Sequence, residues 1–578
     1  MPSQLPPGIR ISHGLHPANT GKRRSLVATQ SFSPGSQIAT FSNPLIALPD
    51  GPSMRTTCNY CLHVGSPESD ATDSGRGGRG GGGGGGGEGQ QQPQQLRACT
   101  ACKAAVYCNA TCQRAHWRVV HKLECKMFAR VRENAGKDWL PTPVRAVAQV
   151  LMLLKSGDPA IKEAFETGDG LEGNVEGFRA YEEVWKDFEL QATAAVVYAG
   201  LLEGEEMLAK AREVLCKIQT NAFNRLDADT GMTGIFLDAG LAMVNHSCVP
   251  NAFVGFHKRT AVLRAERPIQ EGEEITISYI DNMLPTSARH EALRLYHFEC
   301  VCPRCWDDLD VYEVCQASPH IYLNAFSLQP DLSKLQDPPI DRSKVTRAEI
   351  EAIYKKWQTL APPQGDDEEE HLKFACKRWE LCRPLVEAKM WAVEPLPTTI
   401  NQLAIRWQTS YKMVVYALPL LCFLSTECDP FKLVAPFQPW RIKGVVAIIK
   451  MLALTGEFTA SGALATRCAH EGLVGTLAMA DQVSICEALL RLAVRHGSIG
   501  AAEDWDVLKQ AKSMLEDLES LEGREHESNL IRAWARDPED PEGAAFFEDQ
   551  VLRPIKTLAS FAPQILEAML GRNSPVKQ

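Results

Sequence analysis

Four close pairs of metal-binding side chains, Cys58-x2-Cys61, Cys99-x2-Cys102, Cys108-x3-Cys112 and His121-x3-Cys125, constrain this chain more than any other feature. Zinc takes four thiolate or imidazole ligands in a tetrahedron, and a pair two or three residues apart clasps one ion from a tight turn. Eight ligands therefore imply two zinc ions. A segment this short, with little apolar content, depends on such ions to fold. His116 is also in range, but the three-residue gap to Cys125 favours His121. Between Cys61 and Cys99 lie 37 residues, with 12 Gly in the 15 positions 75–89 and a Gln-rich tract to Gln95. Such composition has nothing to pack, so 64–96 is expected to be a disordered linker. Its length costs little, because closure entropy grows slowly with loop size.

A second constellation follows. Asn245-His246-Ser247-Cys248-x2-Asn251 precedes Glu273-Glu274-Ile275-Thr276-Ile277-Ser278-Tyr279, and then Tyr296-His297-Phe298-Glu299-Cys300-x-Cys302-x2-Cys305. Three thiolates are one short of a closed structural zinc site, and Cys248 is the candidate fourth. The competing reading is an open catalytic zinc, which lacks an accompanying carboxylate–histidine arrangement. Eleven of the 19 cysteines are thus assigned as ligands, beside His121. The other eight are scattered, most of them in apolar helical patterns where a thiol is ordinary core filler. Clustered cysteines, an odd total and no apolar run at Met1–Arg10 point to a reducing, intracellular setting rather than a disulfide framework. The longest apolar run, Met413–Leu424, contains Pro419 and is too short to span a membrane, so a buried core helix is expected.

Charge divides the chain. Residues 1–305 carry 32 basic and 32 acidic residues, so the net charge of −10 lies wholly in 306–578. Locally, 97–137 has nine basic and two acidic residues, while 151–240 has eight and 17. The acidic stretch could steer a basic substrate; the basic one could meet an acidic peptide or phosphate. Patterning predicts short strands over Ile9–Asp50, with a turn at Ser33-Pro34-Gly35-Ser36. It predicts helices over Pro143–Ile218, strands again over Asp238–Tyr279 including Glu274–Tyr279, and almost unbroken helix over 345–560. The acidic run Asp366–Glu370 reads as a linker interrupting those helices.

The order of the first pairs, with Tyr107, Gln113 and Trp117 among them, resembles a MYND finger. The resemblance implies interleaving: Cys58, Cys61, Cys108 and Cys112 on one zinc, Cys99, Cys102, His121 and Cys125 on the other. The second constellation resembles the SET domain of protein lysine methyltransferases with its post-SET cysteines, Cys248, Cys300, Cys302 and Cys305. Together they resemble the SET- and MYND-containing subfamily. The implied fold class is α+β: a SET β-clip fold of small sheets with a helical insert, an embedded two-zinc finger, a post-SET zinc site and an all-α, TPR-like C-terminal domain. The expected boundaries are 1–57 and 235–299 for the SET parts, 58–125 for the finger, 126–234 for the helical insert, 300–306 for the post-SET cluster and 307–578 for the helical domain.

The resemblance implies S-adenosyl-L-methionine and three Zn2+ as cofactors, and methyl transfer to a lysine amine of a histone or non-histone protein. Tyr279 and Tyr296 would wall the lysine channel as the catalytic pair, with Asn221 nearby. Asn245 would hold the amino-acid end of the cofactor, His246 would contact it, backbone would meet the adenine and Phe298 would stack on it. Where the family has a glycine-containing loop, this chain reads Gly21-Lys22-Arg23-Arg24-Ser25-Leu26, with Arg23 and Ser25 in the glycine places. Lys22 or Arg24 would then pair with the cofactor carboxylate. The finger implies protein partners, often proline-containing segments. Nucleic acid and membrane are not expected partners, and a monomer in nucleus and cytoplasm is expected. The alternatives are a catalytically weak SET/MYND adaptor and, resting on the basic finger alone, a DNA-binding regulator.

Overall fold

The computed structural model describes residues 5–16, 19–67, 95–201, 204–227, 231–410, 413–500 and 505–571. Most of the glycine-rich insert lies outside these residues.

The N-terminal half is built from small sheets. Strands Ile9–His16 and Asn19–Ala28 form an antiparallel hairpin. Thr260–Ala265 is the centre of a three-stranded sheet between Ala252–His257 and Gln37–Phe41. The expected turn before Gln37 forms: Ser36 N donates to Ser33 O at 3.0 Å, and Gly35 has φ +78°. Pro before a positive-φ glycine suits a type II turn. Any side chain at Gly35 would also meet Ile499 Cγ2 at 2.0 Å, so this turn lies directly against a C-terminal helix.

A second sheet places Gly231–Leu237 between Ile46–Pro49 and Phe223–Asp227. Gly234, at φ +147°, presses so close to Leu48 that a Cβ would lie 1.9 Å from its carbonyl oxygen. The insert expected over 126–234, with helices over Pro143–Ile218, thus ends in strands. Five helices from Thr142 to Asn221 fill most of that segment, but its end returns to the sheet. The chain must come back to the strand it left at Pro49, and Ile235, Phe236 and Leu237 supply the apolar pairing surface.

Glu274–Tyr279 is not one ladder either. Only Thr276–Ile277 is a strand, parallel to Asn245–His246. The extended segment divides its hydrogen bonds: Ile275 N donates to Leu26 O, Glu273 O accepts from Ala28 N, and Ile277 O accepts from Ser247 N. Joining two neighbours at once, it forms a long ladder with neither.

The C-terminal half has its own apolar core, running from Val311 to Leu570, distinct from the N-terminal one between Ile9 and Ile277. Its described residues form helices and turns without strands. Val414–Lys432 is a continuous helical run, long and apolar enough by composition to cross a membrane, yet 83% buried within the protein. Helices Leu396–Thr409, Pro439–Ala460 and Arg553–Ser560 pack around its first part, Val414–Phe423. The acidic run at 366–370 does not break a helix; it starts one. Asp367 caps Glu368–Leu381 by accepting from Glu369 N and Glu370 N, and three glutamates in the first turn suit the positive end of the helix dipole.

His496 marks the seam inside this half. Its Nε2–H donates to Phe326 O at 2.9 Å, and burial pulls the ring from an ordinary 6.5 to about 4. As pH falls, the unfolded chain takes up this proton first, so stability drops between about 6.5 and 4 and levels off below. Urea unfolding at pH 7.5 and pH 4.5 should show His496→Gln losing about 2 kcal/mol less than the parent over that interval.

Candidate active site and metal centres

Three clusters gather the predicted ligands. Cys58, Cys61, Cys108 and Cys112 form one, Cys99, Cys102, His121 and Cys125 another, and Cys248, Cys300, Cys302 and Cys305 a third, each with ligand atoms within 4.8 Å of one another. All these cysteines are free thiols. Their spacing is informative. Cys61 and Cys108 sulfurs are 3.6 Å apart, Cys99 and Cys125 4.0 Å, and Cys248 and Cys305 3.5 Å. A disulfide needs about 2.05 Å, whereas a tetrahedron with Zn–S near 2.3 Å has edges of about 3.8 Å. The donor sets thus fit zinc and could hold one ion each.

The structure separates His121 from His116. His121 Nε2 faces Cys102 Sγ at 3.8 Å, inside the thiol cluster. His116 instead sits beside it, its Nδ1 3.0 Å from the Tyr107 hydroxyl. Behind both lies a polar group that sequence reasoning missed. Buried Glu124 stands 3.7 Å from His121 Nδ1, accepts from Arg145 at 2.7 and 3.0 Å, and accepts from Gln149 at 2.6 Å. Burial opposes its ionisation, yet the Arg145 guanidinium holds the carboxyl well below the usual carboxylate range. Arg145 and Gln149 are one turn apart on helix Thr142–Ser156, so this cluster is tied to the helical insert by a buried ion pair. The available sequence signal was two polar residues on an otherwise apolar helix.

The third cluster adjoins an aromatic site. Tyr279 and Tyr296 rings lie 4.9 Å apart, and Phe298 meets Tyr279 edge-on at 6.4 Å. A left-handed residue, His297 at φ +57°, turns the chain between Tyr296 and Phe298. The Tyr279 hydroxyl donates to Val244 O at 2.5 Å. Burial raises the Tyr296 hydroxyl above its ordinary value, so this phenol is neutral at pH 7.

His246 joins the aromatic site to the thiols. Its Nδ1 accepts from Tyr279 N at 3.0 Å, and Nε2 lies 3.2 Å from Cys248 Sγ. Accepting at Nδ1 leaves the proton on Nε2, which donates to sulfur. Burial holds the ring to about 4, keeping it neutral. Both ring nitrogens are therefore engaged within the protein. Asn245 gives its amide hydrogens to Arg24 O and Glu274 Oε1, which leaves Oδ1 as its acceptor. Asn251 braces the same segment, donating to Glu273 Oε1 and Glu274 O and accepting from Thr276 N.

Arg24 is not pointed at an empty space. Its guanidinium donates to Asp169 O and to Glu172 Oε1, the latter at 3.1 Å. Asn221 also reaches that loop, donating to Glu172 O at 2.7 Å. Loop 167–174 thus ties together two residues far apart in sequence. The Lys22 side chain lies outside the described residues. Ser25 sits in regular register opposite Ser12, so the strand passes through one former glycine place with ordinary β pairing. Asn221, Tyr279 and Tyr296 all line a cavity of about 1520 Å3 between the two halves.

Removing the His246 ring should loosen both neighbours. His246→Ala leaves the Tyr279 N–H without its acceptor, at a cost of about 1–3 kcal/mol. Metal release to a chelator should quicken about tenfold or more, as for loss of other ligand-supporting groups, and Tyr fluorescence should shift with it.

The SET domain family matches residues 23–280. The SET domain and MYND-type zinc finger protein 6 of Schizosaccharomyces pombe is 36% identical over 203 residues, 35% of this chain and 39% of that protein. The N-lysine methyltransferase SMYD2-B of Danio rerio is 32% identical over 216 residues, 35% of this chain and 46% of its own length. The Histone-lysine N-methyltransferase SMYD3 of Homo sapiens is 31% identical over 215 residues, 35% and 47% respectively. The chain spans less than half the length of these relatives. Residues 23–280 thus match the SET domain family, and part of the chain is similar to proteins named as SET- and MYND-type lysine methyltransferases.

Proposed function

We propose that this protein transfers a methyl group from S-adenosylmethionine to a lysine side chain of a protein substrate. The observation that carries this reading is the Tyr279–Tyr296–Phe298 cage, which packs against His246 and reaches the cavity wall through Tyr279 and Tyr296. The cofactor supplies the electrophilic methyl when bound. The chain's own residues must deliver a neutral amine to it in line. A free lysine has a pKa near 10.4, and a half-buried aromatic cage disfavours its charged form. Tyr279 is held at both ends, its hydroxyl by Val244 O and its amide by His246, so its position is settled before substrate arrives. Such prior alignment is the main contribution an enzyme makes to a displacement of this kind. Asn245 Oδ1 suits the ammonium of the cofactor's amino-acid end, and Phe298 supplies a face for its adenine. The three thiol clusters would hold zinc as structural ions. The finger would take protein segments, proline-containing ones among them, on a surface where Trp117 and Val119 stand exposed.

One observation favours the adaptor reading. Arg24, a candidate for the cofactor carboxylate, is already held by Asp169 and Glu172. Titration with S-adenosylmethionine decides between the two: micromolar binding supports the enzyme, and no detectable binding supports the adaptor. Transfer of labelled methyl to a protein panel should then fall by about 100-fold in Tyr279→Phe, because the ring loses its anchor to Val244 O. Unchanged transfer would remove Tyr279 from the reacting centre.

A further inference from the structure

The cavity between the two halves has walls of different chemistry. On the helical side, two helices each present one stripe. Leu396–Thr409 contributes Thr398, Asn401, Ile405 and Gln408; Pro439–Ala460 contributes Trp440, Lys443, Ala447 and Lys450. Both run at spacings of three, four and three, the repeat that places residues on one helical face. Faces of packed helices that carry an apolar residue usually bury it, yet Ile405 is 56% exposed and Trp440 58%. Neither stripe contains an acidic residue. Lys443 lies over the Trp440 ring at 5.2 Å, and Lys450 donates to Gln510, a neutral group, so among the described residues neither charge is matched by a carboxylate. Lys432, also on this wall, is already tied to Glu394 at 2.7 Å.

The opposite wall is acidic. Glu266, Glu273, Glu274 and Asp281 line it, with Arg267 and Arg304 among them. Glu273 is partly neutralised by Arg267 at 3.7 Å. Burial raises Glu266 to about 7 and also raises Asp281. Acidic groups beside an aromatic cage suit the arrival of a cationic side chain. A cationic stripe with exposed Trp440 and Ile405 across the cavity suits something else: carboxylates joined to an apolar side chain.

We infer that the helical wall selects protein substrates whose target lysine is flanked by an acidic segment carrying an apolar residue. This rests on the methyl-transfer reading for the word substrate, though not for the binding itself. The segment would lie along Pro439–Ala460, its carboxylates at Lys443 and Lys450 and its apolar residue against Trp440 and Ile405. A lysine- and arginine-rich tail would meet those lysines unfavourably, so the net acidity of the chain is a poor guide to what enters this site.

The test uses the full chain and fluorescent peptides with one central lysine and one leucine. Their flanks are four glutamates, four serines or four arginines, placed on either side of the lysine. Anisotropy at 50 mM salt should show at least one acidic peptide binding about tenfold more tightly than the arginine peptides, with the advantage shrinking at 500 mM salt. Lys443→Glu combined with Lys450→Glu should reverse the order. Trp440→Ala should weaken all leucine peptides alike without reversing it. Equal binding of all flanks, preference for arginine peptides, or a preference untouched by the charge reversal would overturn the inference. So would an equally strong competition by oligothymidylate, which would assign the stripe to nucleic acid. If the acidic preference holds while no peptide accepts a methyl group, the docking surface stands and the methyl-transfer reading fails.

Discussion

Asn245 and His246 lie parallel to Thr276 and Ile277 for only two residues, and the whole site passes through that short pairing. From it Asn245 reaches back to the N-terminal hairpin at Arg24 and across to Glu274. His246 reaches forward to Tyr279 and down to Cys248. A pair this short is weak as backbone structure. It is held by side chains whose polar atoms have defined partners, and Asn251 adds three more bonds to the same segment. Polar groups buried in such a network are costly to leave unmatched, which is why the arrangement is specific rather than merely stable.

The same logic recurs at the finger. The cluster of Cys99, Cys102, His121 and Cys125 is backed by Glu124, and Glu124 by Arg145 and Gln149 of the helical insert. A buried ion pair contributes little net stability, but removing one partner leaves a charge stranded. The position of this cluster against the helical insert therefore depends on a few buried polar groups. At the aromatic site His246, beside the thiols, is oriented by the Tyr279 amide on its second nitrogen, whereas His121 Nδ1 lies 3.7 Å from the Glu124 carboxylate without a hydrogen bond.

Gly35 and the cavity show how the halves meet. The turn at Gly35 touches Ile499 so closely that only glycine fits, and Phe253 stacks at 6.4 Å on Phe437 across the seam. Between these contacts the halves leave an open cavity with an acidic wall and a cationic one. The helical half therefore does more than buttress the sheets, because part of the lining of this cavity belongs to it.

Much was legible in the amino-acid order. Ligand pairs two or three residues apart mark metal sites because a tight turn forces their side chains together. Asn-His-Ser-Cys and Phe-x-Cys-x-Cys-x2-Cys carried a resemblance, and alternating or helical periodicity marked most elements. What remained hidden was long-range. Nothing local says that 223–237 returns to pair with Ile46–Pro49, because a strand's partner is chosen by the sheet that forms and not by its own composition. The acidic run at 366–370 read as a linker because charge density does not reveal that Asp367 caps a helix. His246 was legible as a candidate site residue, but which groups meet its two nitrogens was not. The residue types and the spacing that marks the candidate metal ligands were determined by sequence alone. Which atoms face one another, and so which histidine joins the thiols and what charge each wall of the cavity presents, was decided only when distant segments packed, since hydrogen bonds and fields act over a few ångströms of space whatever the separation along the chain.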